Sequence, residues 1–342
     1  MPRFHLGDSL NLLRKLTFRR VWNGLKVFSS FYISRITGRP VQWGLPYSIS
    51  FEPTTSCNLR CPECPSGMRS FTRPTGMLQP SFFEKTINEI HRDIFYLIFY
   101  FQGEPYLNPQ FLNMVQYASS KKIYTATSTN AHYLNDENAK KTVESGLDRL
   151  IISIDGTTQE VYEQYRVGGK LEKVIAGTEN IVKWKKALKS KKPFVIFQFL
   201  VVKPNEHQMK AVQELGARLG VDQVRFKTAQ VYDYENDPHQ LIPDNRAYSR
   251  YHQSPEGKNI PKNKLSNRCW KLWHANVITF DGRVVPCCFD KDATHQLGNL
   301  ATESFRDIWK NPNYRQFRKE LLHSRKNIDI CANCSEGLSV WK

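Results

Sequence analysis

The stretch YSISFEPTTSCNLRCPECP, residues 47–65, joins a short strand-like run to three cysteines, Cys57, Cys61 and Cys64, crowded into eight positions. No further cysteine occurs until Cys269. A closed structural metal site takes four ligands, whereas three leave a coordination position free, as in catalytic metal sites. A zinc site completed by Cys269 or a histidine, or a fortuitous grouping, would be the alternatives. Downstream, short apolar runs alternate with amphipathic ones. YSISFEP (47–53), IFYLIFYFQG (94–103), IYTATSTN (123–130), LDRLIISIDG (147–156), FVIFQFLVV (194–202) and DQVRFKTA (222–229) read as strands. SFFEKTINEIHRD (81–93), QFLNMVQYASSKK (110–122), DENAKKTVESG (136–146), a long stretch reaching Lys192 and EHQMKAVQELGARLG (206–220) read as helices. Such alternation predicts parallel βαβ units with right-handed crossovers, an α/β fold. Ligands of these folds bind at the carboxyl ends of the strands, where the three cysteines fall.

Composition bounds the rest. The 342 residues hold 49 Lys and Arg against 32 Asp and Glu, a formal net charge of +17, with 40% hydrophobic residues. That describes a folded globular chain. Eight cysteines without a signal-peptide pattern point to a reducing compartment, hence a cytoplasmic protein. No apolar run reaches the roughly 18 residues of a membrane span. The basic surplus calls for an acidic partner (phosphorylated ligand, nucleic acid or anionic lipid) or serves solubility alone.

The surplus is concentrated at the start. Arg3, Arg14, Lys15, Arg19, Arg20, Lys26, Arg35 and Arg39 face a single acid, Asp8, within residues 1–45. Leu10, Leu13, Phe18, Val21, Trp22, Leu25, Phe28, Phe31, Tyr32 and Ile36 recur among them at helical spacing. One or two basic amphipathic helices are predicted. The favoured expectation is that the apolar side packs on the domain. The competing one is weak contact with an anionic membrane through residues 1–36, peripheral at the inner membrane surface.

Residues 230–268 are polar and proline-containing, and read as a linker or lid without periodic structure. Beyond them VITF, an Asp281-Gly282 turn and RVVP predict a hairpin. Cys269, Cys287, Cys331 and Cys334 surround it, a pattern that fits a zinc ribbon or an iron–sulfur site.

The Cys57-x3-Cys61-x2-Cys64 loop after a first strand resembles the radical S-adenosylmethionine (radical SAM) superfamily. The likeness continues in order through FQGEP (101–105), similar to a GGEP element, TSTNAHYL (127–134), close to a TNG stretch, and ISIDG (152–156) followed by Tyr162 and Arg166. It covers roughly residues 47–229 and implies a partial (βα)6 TIM-like barrel. It also implies that the three cysteines hold a [4Fe-4S] cluster whose open iron binds S-adenosyl-L-methionine. That cofactor would be cleaved reductively to a 5′-deoxyadenosyl radical, which takes a hydrogen atom from a substrate. By motif, Gln102, Gly103 and Glu104 would hold the amino group, Ser153 and Arg166 the ribose and carboxylate side, and Asn130 the loop after the third strand. Asp155 either caps the next segment or touches ligand. Three positions depart from the family pattern: Glu63 before the third cysteine, Gln102 for the first glycine of GGEP, and Ala131 for the glycine of TNG.

The second cysteine group resembles a SPASM extension. Its full form has seven cysteines and two clusters; four fit here, which implies one auxiliary [4Fe-4S] cluster on Cys269, Cys287, Cys331 and Cys334. Cys288 is left over. The expected layout is a basic segment (1–45), a partial barrel (46–229), a linker or lid (230–268) and a small C-terminal iron–sulfur domain (269–342). The resemblance further implies an external one-electron reductant of flavodoxin or ferredoxin type and an unidentified peptide, sugar, lipid-linked or other small-molecule substrate. Tyr100, His132, Lys227 and Tyr232 near strand ends are candidates for substrate contact. A basic nucleic-acid-binding metalloprotein and an electron-transfer protein without cofactor turnover are the competing classes. Neither needs the GEP, TN and SIDG elements, so nucleic acid is not the expected partner.

Overall fold

The computed structural model describes residues 6–263 and 265–336. Arg3 of the basic start and residues 337–342 of the expected C-terminal domain lie outside them. The chain opens with α1 (Leu6–Leu13) and α2 (Phe18–Thr37). Thr17 caps α2, its hydroxyl accepting from the Arg20 N–H at 3.3 Å, and Gly38 ends it at a φ of 66°.

The alternating runs form β1 (Ser48–Phe51), β2 (Tyr96–Ile98), β3 (Tyr124–Thr129), β4 (Arg149–Ser153), β5 (Phe194–Val201) and β6 (Gln223–Thr228), each parallel to the next. Between β1 and β2 lie α3 (Pro65–Met68) and α4 (Pro80–Ile90), each with proline in its first turn, where the missing N–H costs nothing. Then come α5 (Phe111–Ser120), α6 (Asp136–Glu144), α7 (Gln159–Tyr165), α8 (Leu171–Ala187) and α9 (Met209–Leu219). The stretch expected as one long helix to Lys192 is therefore two. Leu97, Leu150, Ile152, Val195, Phe197 and Phe199 share one apolar core with Phe83, Phe111, Val115, Val174, Ile181 and Val212 of the helices.

Residues 230–268 do hold regular structure, an antiparallel ribbon of β7 (Tyr251–Gln253) and β8 (Asn259–Pro261). After it come α10 (Lys271–His274), the expected hairpin of β9 (Ala275–Ile278) and β10 (Arg283–Val285), β11 (Gly298–Asn299), α11 (Phe305–Lys310), α12 (Pro312–Ser324) and α13 (Asp329–Ala332). The hairpin does not stand apart. β9 pairs in parallel with β1, Ser48 opposite Ala275 and Phe51 opposite Ile278. Among the described residues one nine-stranded sheet results, in the order β11-β10-β9-β1-β2-β3-β4-β5-β6. The buried Glu52–Arg73 pair reinforces the join, since Glu52 also accepts from Phe280 N–H at 3.3 Å.

The first two helices cross the amino ends of these strands. Arg20 donates to the carbonyls of Lys122 and His91 at 2.6 and 2.7 Å, and Asn11 donates to Asp148 at 2.9 Å. Asp8 bonds Tyr124 and Arg149. The packing of α2 meets the favoured expectation only in part: Val27 and Phe31 join the core, Phe31 against Trp270 and Trp273, but much of the apolar side does not. Its buried stripe is Arg20, Asn23, Val27, Ser30, Phe31 and Ser34, while Phe18, Trp22, Leu25 and Ile36 face outward. The polar residues turn inward because strand-end carbonyls need donors: Asn23 gives its amide to the Leu45 and Asp93 carbonyls at 2.8 and 3.2 Å. Among the described residues no helix is long and apolar enough to cross a membrane.

Candidate functional site

A cavity of about 290 Å³ opens at the carboxyl ends of β1 to β4. Cys57, Cys61 and Cys64 line it from the loop after β1, Gln102, Gly103 and Glu104 from the loop after β2, and Asn130 from the end of β3. Ser153 closes β4, and Arg166 stands just past α7. All the residues expected around the first cysteine group are thus brought to one wall.

The two cysteine-side loops are pressed together by Gly103. Its φ is 72°, and a Cβ there would lie 2.2 Å from the Thr54 carbonyl, so only glycine fits. Its N–H donates to Ser66 Oγ at 2.8 Å, and the Glu104 N–H donates to the Ser56 carbonyl at 2.8 Å. The Glu104 side chain accepts from Asn130 N–H and Thr129 Oγ1, both at 2.7 Å. Burial pushes its carboxyl up to about 7, against those hydrogen bonds. Asn130 donates to Asn58 Oδ1 at 2.8 Å and reaches Cys57 Sγ at 3.9 Å. Gln102 Oε1 stands 3.7 Å from Cys64 Sγ, and the Ser153 and Ser128 hydroxyls are 3.4 Å apart. Arg166 Nη1 lies 3.7 Å from Cys61 Sγ while its Nε donates to Asp155 at 2.5 Å. Asp155 also accepts from Leu200 N–H at 2.6 Å, so it orients the arginine and caps no helix.

The thiols fit an iron–sulfur cluster. Burial pushes Cys57 up to about 12, so it ionises only against strong positive charge of the kind metal supplies. The three sulfurs rim the cavity, and among the described residues no group of three His, Cys, Asp or Glu side chains converges on one ion-sized point.

The second group gathers around the hairpin. Cys269 precedes α10, Cys287 follows β10, Cys331 lies in α13 and Cys334 just beyond it. Arg325 donates to Cys334 Sγ at 3.3 Å. Burial pushes Cys331 up to about 12, with Arg325 opposing and the charges of Cys269 and Cys334 adding. Burial likewise raises Cys287, with Cys288, Cys269 and Cys331 adding, so the four thiols lie within electrostatic reach of one another. Cys288 is exposed, 3.9 Å from Lys271 Nζ.

The remaining candidates divide. Tyr100 lines the cavity. The His132 ring spans the Asn130 carbonyl at 3.0 Å and the Lys170 N–H at 2.8 Å, which makes it a fastener of that loop. Lys227, on β6, is not among the lining residues, and neither is Tyr232. Instead Tyr232 donates its N–H to Glu63 at 2.8 Å, and Lys291 Nζ sits 4.5 Å from its ring centre. Glu63 thus ties residues 230–268 to the cysteine loop. Sequence reasoning missed Tyr165 and Lys291, which also line the cavity. Tyr165 could have been found beside Arg166; Lys291 arrives from the C-terminal segment with no local signal.

Comparison with known proteins agrees with this geometry. The radical SAM superfamily model matches residues 51–223, and the SPASM iron–sulfur cluster-binding domain matches residues 269–335. The tungsten-containing aldehyde ferredoxin oxidoreductase cofactor-modifying protein of Pyrococcus furiosus is 27% identical over 316 residues, covering 83% of this chain and 86% of its own. Mycofactocin maturase MftC of Mycobacterium ulcerans is 26% identical over 307 residues, covering 84% and 80%. Among solved structures, anSMEcpe with bound AdoMet superposes with a TM-score of 0.60 at 16% identity, covering 85% of this chain and 84% of that one, a likeness of fold.

Proposed function

Because the chain belongs to the radical SAM superfamily and carries a SPASM domain, we propose that its two cysteine groups hold two [4Fe-4S] clusters serving one reaction. The protein is an enzyme that uses S-adenosylmethionine and iron–sulfur clusters. With a reduced cluster and S-adenosylmethionine held there, the site would supply one-electron reductive cleavage of the cofactor's sulfonium and hydrogen-atom abstraction from substrate.

The chain's own residues do the positioning. Cys57, Cys61 and Cys64 anchor the first cluster, and Glu104, fixed by Asn130 and Thr129, accepts from the cofactor's amino group. Arg166, held by Asp155, offers a guanidinium toward Cys61 and the carboxylate side, with Ser153 beside it. Gln102 and the backbone at Gly103 close the amino side. Cys269, Cys287, Cys331 and Cys334 anchor one auxiliary cluster. The supporting observation is that every first-group candidate lines one cavity. The relatives, a cofactor-modifying protein and a maturase, favour a peptide or cofactor-like substrate. The electron comes from an external flavodoxin- or ferredoxin-type reductant. The protein works in the cytoplasm, with residues 1–36 in weak contact with a membrane surface.

Anaerobic reconstitution tests this. About eight irons and dithionite-dependent 5′-deoxyadenosine are expected. A triple Cys57/Cys61/Cys64→Ala variant loses cleavage, while Cys331→Ala keeps uncoupled cleavage and loses substrate turnover. About four irons, unchanged by Cys269→Ala, would remove the second cluster; retained cleavage in the triple variant would remove the first.

A further inference from the structure

The outward face of α1 and α2 is too apolar to be left to water. Phe18 and Ile36 are 87% and 83% exposed, and Trp22, Leu25, Leu13 and Trp43 each more than half. With about 100° of turn per residue, Phe18, Trp22, Leu25 and Ile36 fall on the side opposite Asn23, Val27 and Ser34. The stripe lies opposite the buried one, whose Arg20 and Asn23 bond carbonyls at the amino ends of the strands and whose Val27 and Phe31 pack in the core, Phe31 against Trp270 and Trp273. Exposed basic residues border it: Arg14, Lys26, Arg35 and Arg39. Lys26 Nζ lies 5.8 Å from the Trp22 ring centre and the Arg35 guanidinium 5.5 Å from that of Tyr32. The one acid of residues 1–45, Asp8, is buried against Tyr124 and Arg149 at the barrel floor, so this segment contributes no acid to the border, and Asp93 beside it is paired with Arg19 and Arg306.

We propose that this face docks on an anionic lipid bilayer, apolar side chains entering the headgroup boundary and the basic border pairing with phosphates. The pattern of large apolar side chains, interfacial tryptophan and a cationic border is that of a helix lying in a membrane surface. A second copy fits worse. A two-fold interface would set the same basic border against itself, and like charges facing each other oppose association.

Docking also fixes an orientation. α1 and α2 cross the amino ends of the strands, whereas the cysteine cavity opens at the carboxyl ends. The cavity mouth therefore points away from the bilayer, and substrate and reductant reach it from the aqueous side. A substrate held within the same membrane would not reach it. The inference sharpens the membrane contact proposed above. It stands on the helices alone: binding is read without cofactor turnover, so its failure would remove that contact and leave the proposed cluster chemistry intact.

Full-length protein is sedimented with vesicles of phosphatidylglycerol and phosphatidylcholine, and with phosphatidylcholine alone. Binding is expected only with the anionic lipid, weakening as salt rises. Each step of Lys26→Gln, Arg35→Gln and Arg39→Gln should weaken it about fivefold. Trp22→Ser with Leu25→Ser and Ile36→Ser should weaken it at least tenfold. These positions are exposed, so the fold is kept, as unchanged circular dichroism would confirm. Absence of binding at low salt, equal binding to both lipids, or indifference to both variants overturns the proposal. So does a dimer that the apolar variant dissociates. Amine labelling reads the orientation: vesicles should protect Lys26 and leave Lys203, just past the carboxyl end of β5, open. Protection of Lys203 with Lys26 open would overturn it.

Discussion

Glu104 is 2% exposed, yet its carboxylate accepts from two backbone N–H groups and a threonine hydroxyl. Burial wins over those bonds and pushes its carboxyl up to about 7, above the ordinary carboxylate range. Near neutrality it therefore exchanges its proton readily. The ionised form is the stronger acceptor for an amino group, and the protonated form is close in shape and charge to glutamine. Wild-type protein should bind S-adenosylmethionine about tenfold tighter than Glu104→Gln at pH 8, and the gap should close as pH falls below 7. Equilibrium dialysis of both reconstituted proteins from pH 6 to 8 measures it; a constant gap would mean that Glu104 stays ionised throughout. At this scale much of the site was legible. Gly103 and Glu104 could be placed because FQGEP resembles the family's GGEP element, and Gly103 takes a φ of 72° there. Ala131 adopts φ 65°, the left-handed conformation that the glycine of the family pattern would take, with Thr129 Oγ1 accepting from its N–H at 3.0 Å. Lys291 was not legible, since nothing near it in sequence records that its segment folds back over the cavity.

At the scale of elements, the strands and helices followed from their own periodicity, and the errors arose where a partner chooses. An amphipathic pattern gives α2 two faces but not which one turns inward. The choice was made by the carbonyls of Leu45, His91, Asp93 and Lys122, which draw Asn23 and Arg20 inward beside Val27 and Phe31 and leave Phe18, Trp22, Leu25 and Ile36 outside. The segment 230–268 holds a comparable surprise in its contact with Glu63. A half-buried carboxylate accepting from Tyr232 N–H is a charge-assisted bond, stronger than a neutral one. Glu63→Ala should leave cluster content intact and speed hydrogen exchange at the Tyr232 amide about tenfold. Mass spectrometry after brief labelling reports it, and unchanged exchange would show that other contacts hold the segment.

At the scale of the whole molecule, the regions that composition separates share one sheet and one core. Trp309 Nε1 donates to the Gly44 carbonyl at 2.9 Å and Trp273 Nε1 to the Val41 carbonyl at 3.0 Å, binding the C-terminal region to the segment before β1. Both tryptophans are fully buried among residues from the barrel. Unfolding should therefore be a single cooperative transition, seen anaerobically by calorimetry; two resolved transitions would show barrel and C-terminal region to be independent units. The hairpin of β9 and β10 was legible because its turn is local. Its pairing with β1 was not, because parallel partners far apart in sequence leave no mark on either strand.

That pairing has a consequence for how the chain is made. β1 lies between β2 and β9, and its second partner, residues 275–278, emerges from the ribosome long after Ser48. At roughly 5–20 residues per second, the interval is on the order of ten to forty seconds, far beyond the microseconds in which helices and hairpins form. Throughout it one edge of β1 offers unpaired N–H and C=O groups to any neighbouring strand. The nascent chain is thus most exposed to mispairing after residues 223–228 have emerged and before residues 275–278 do. Chaperone protection of an otherwise assembled barrel is needed most in that interval.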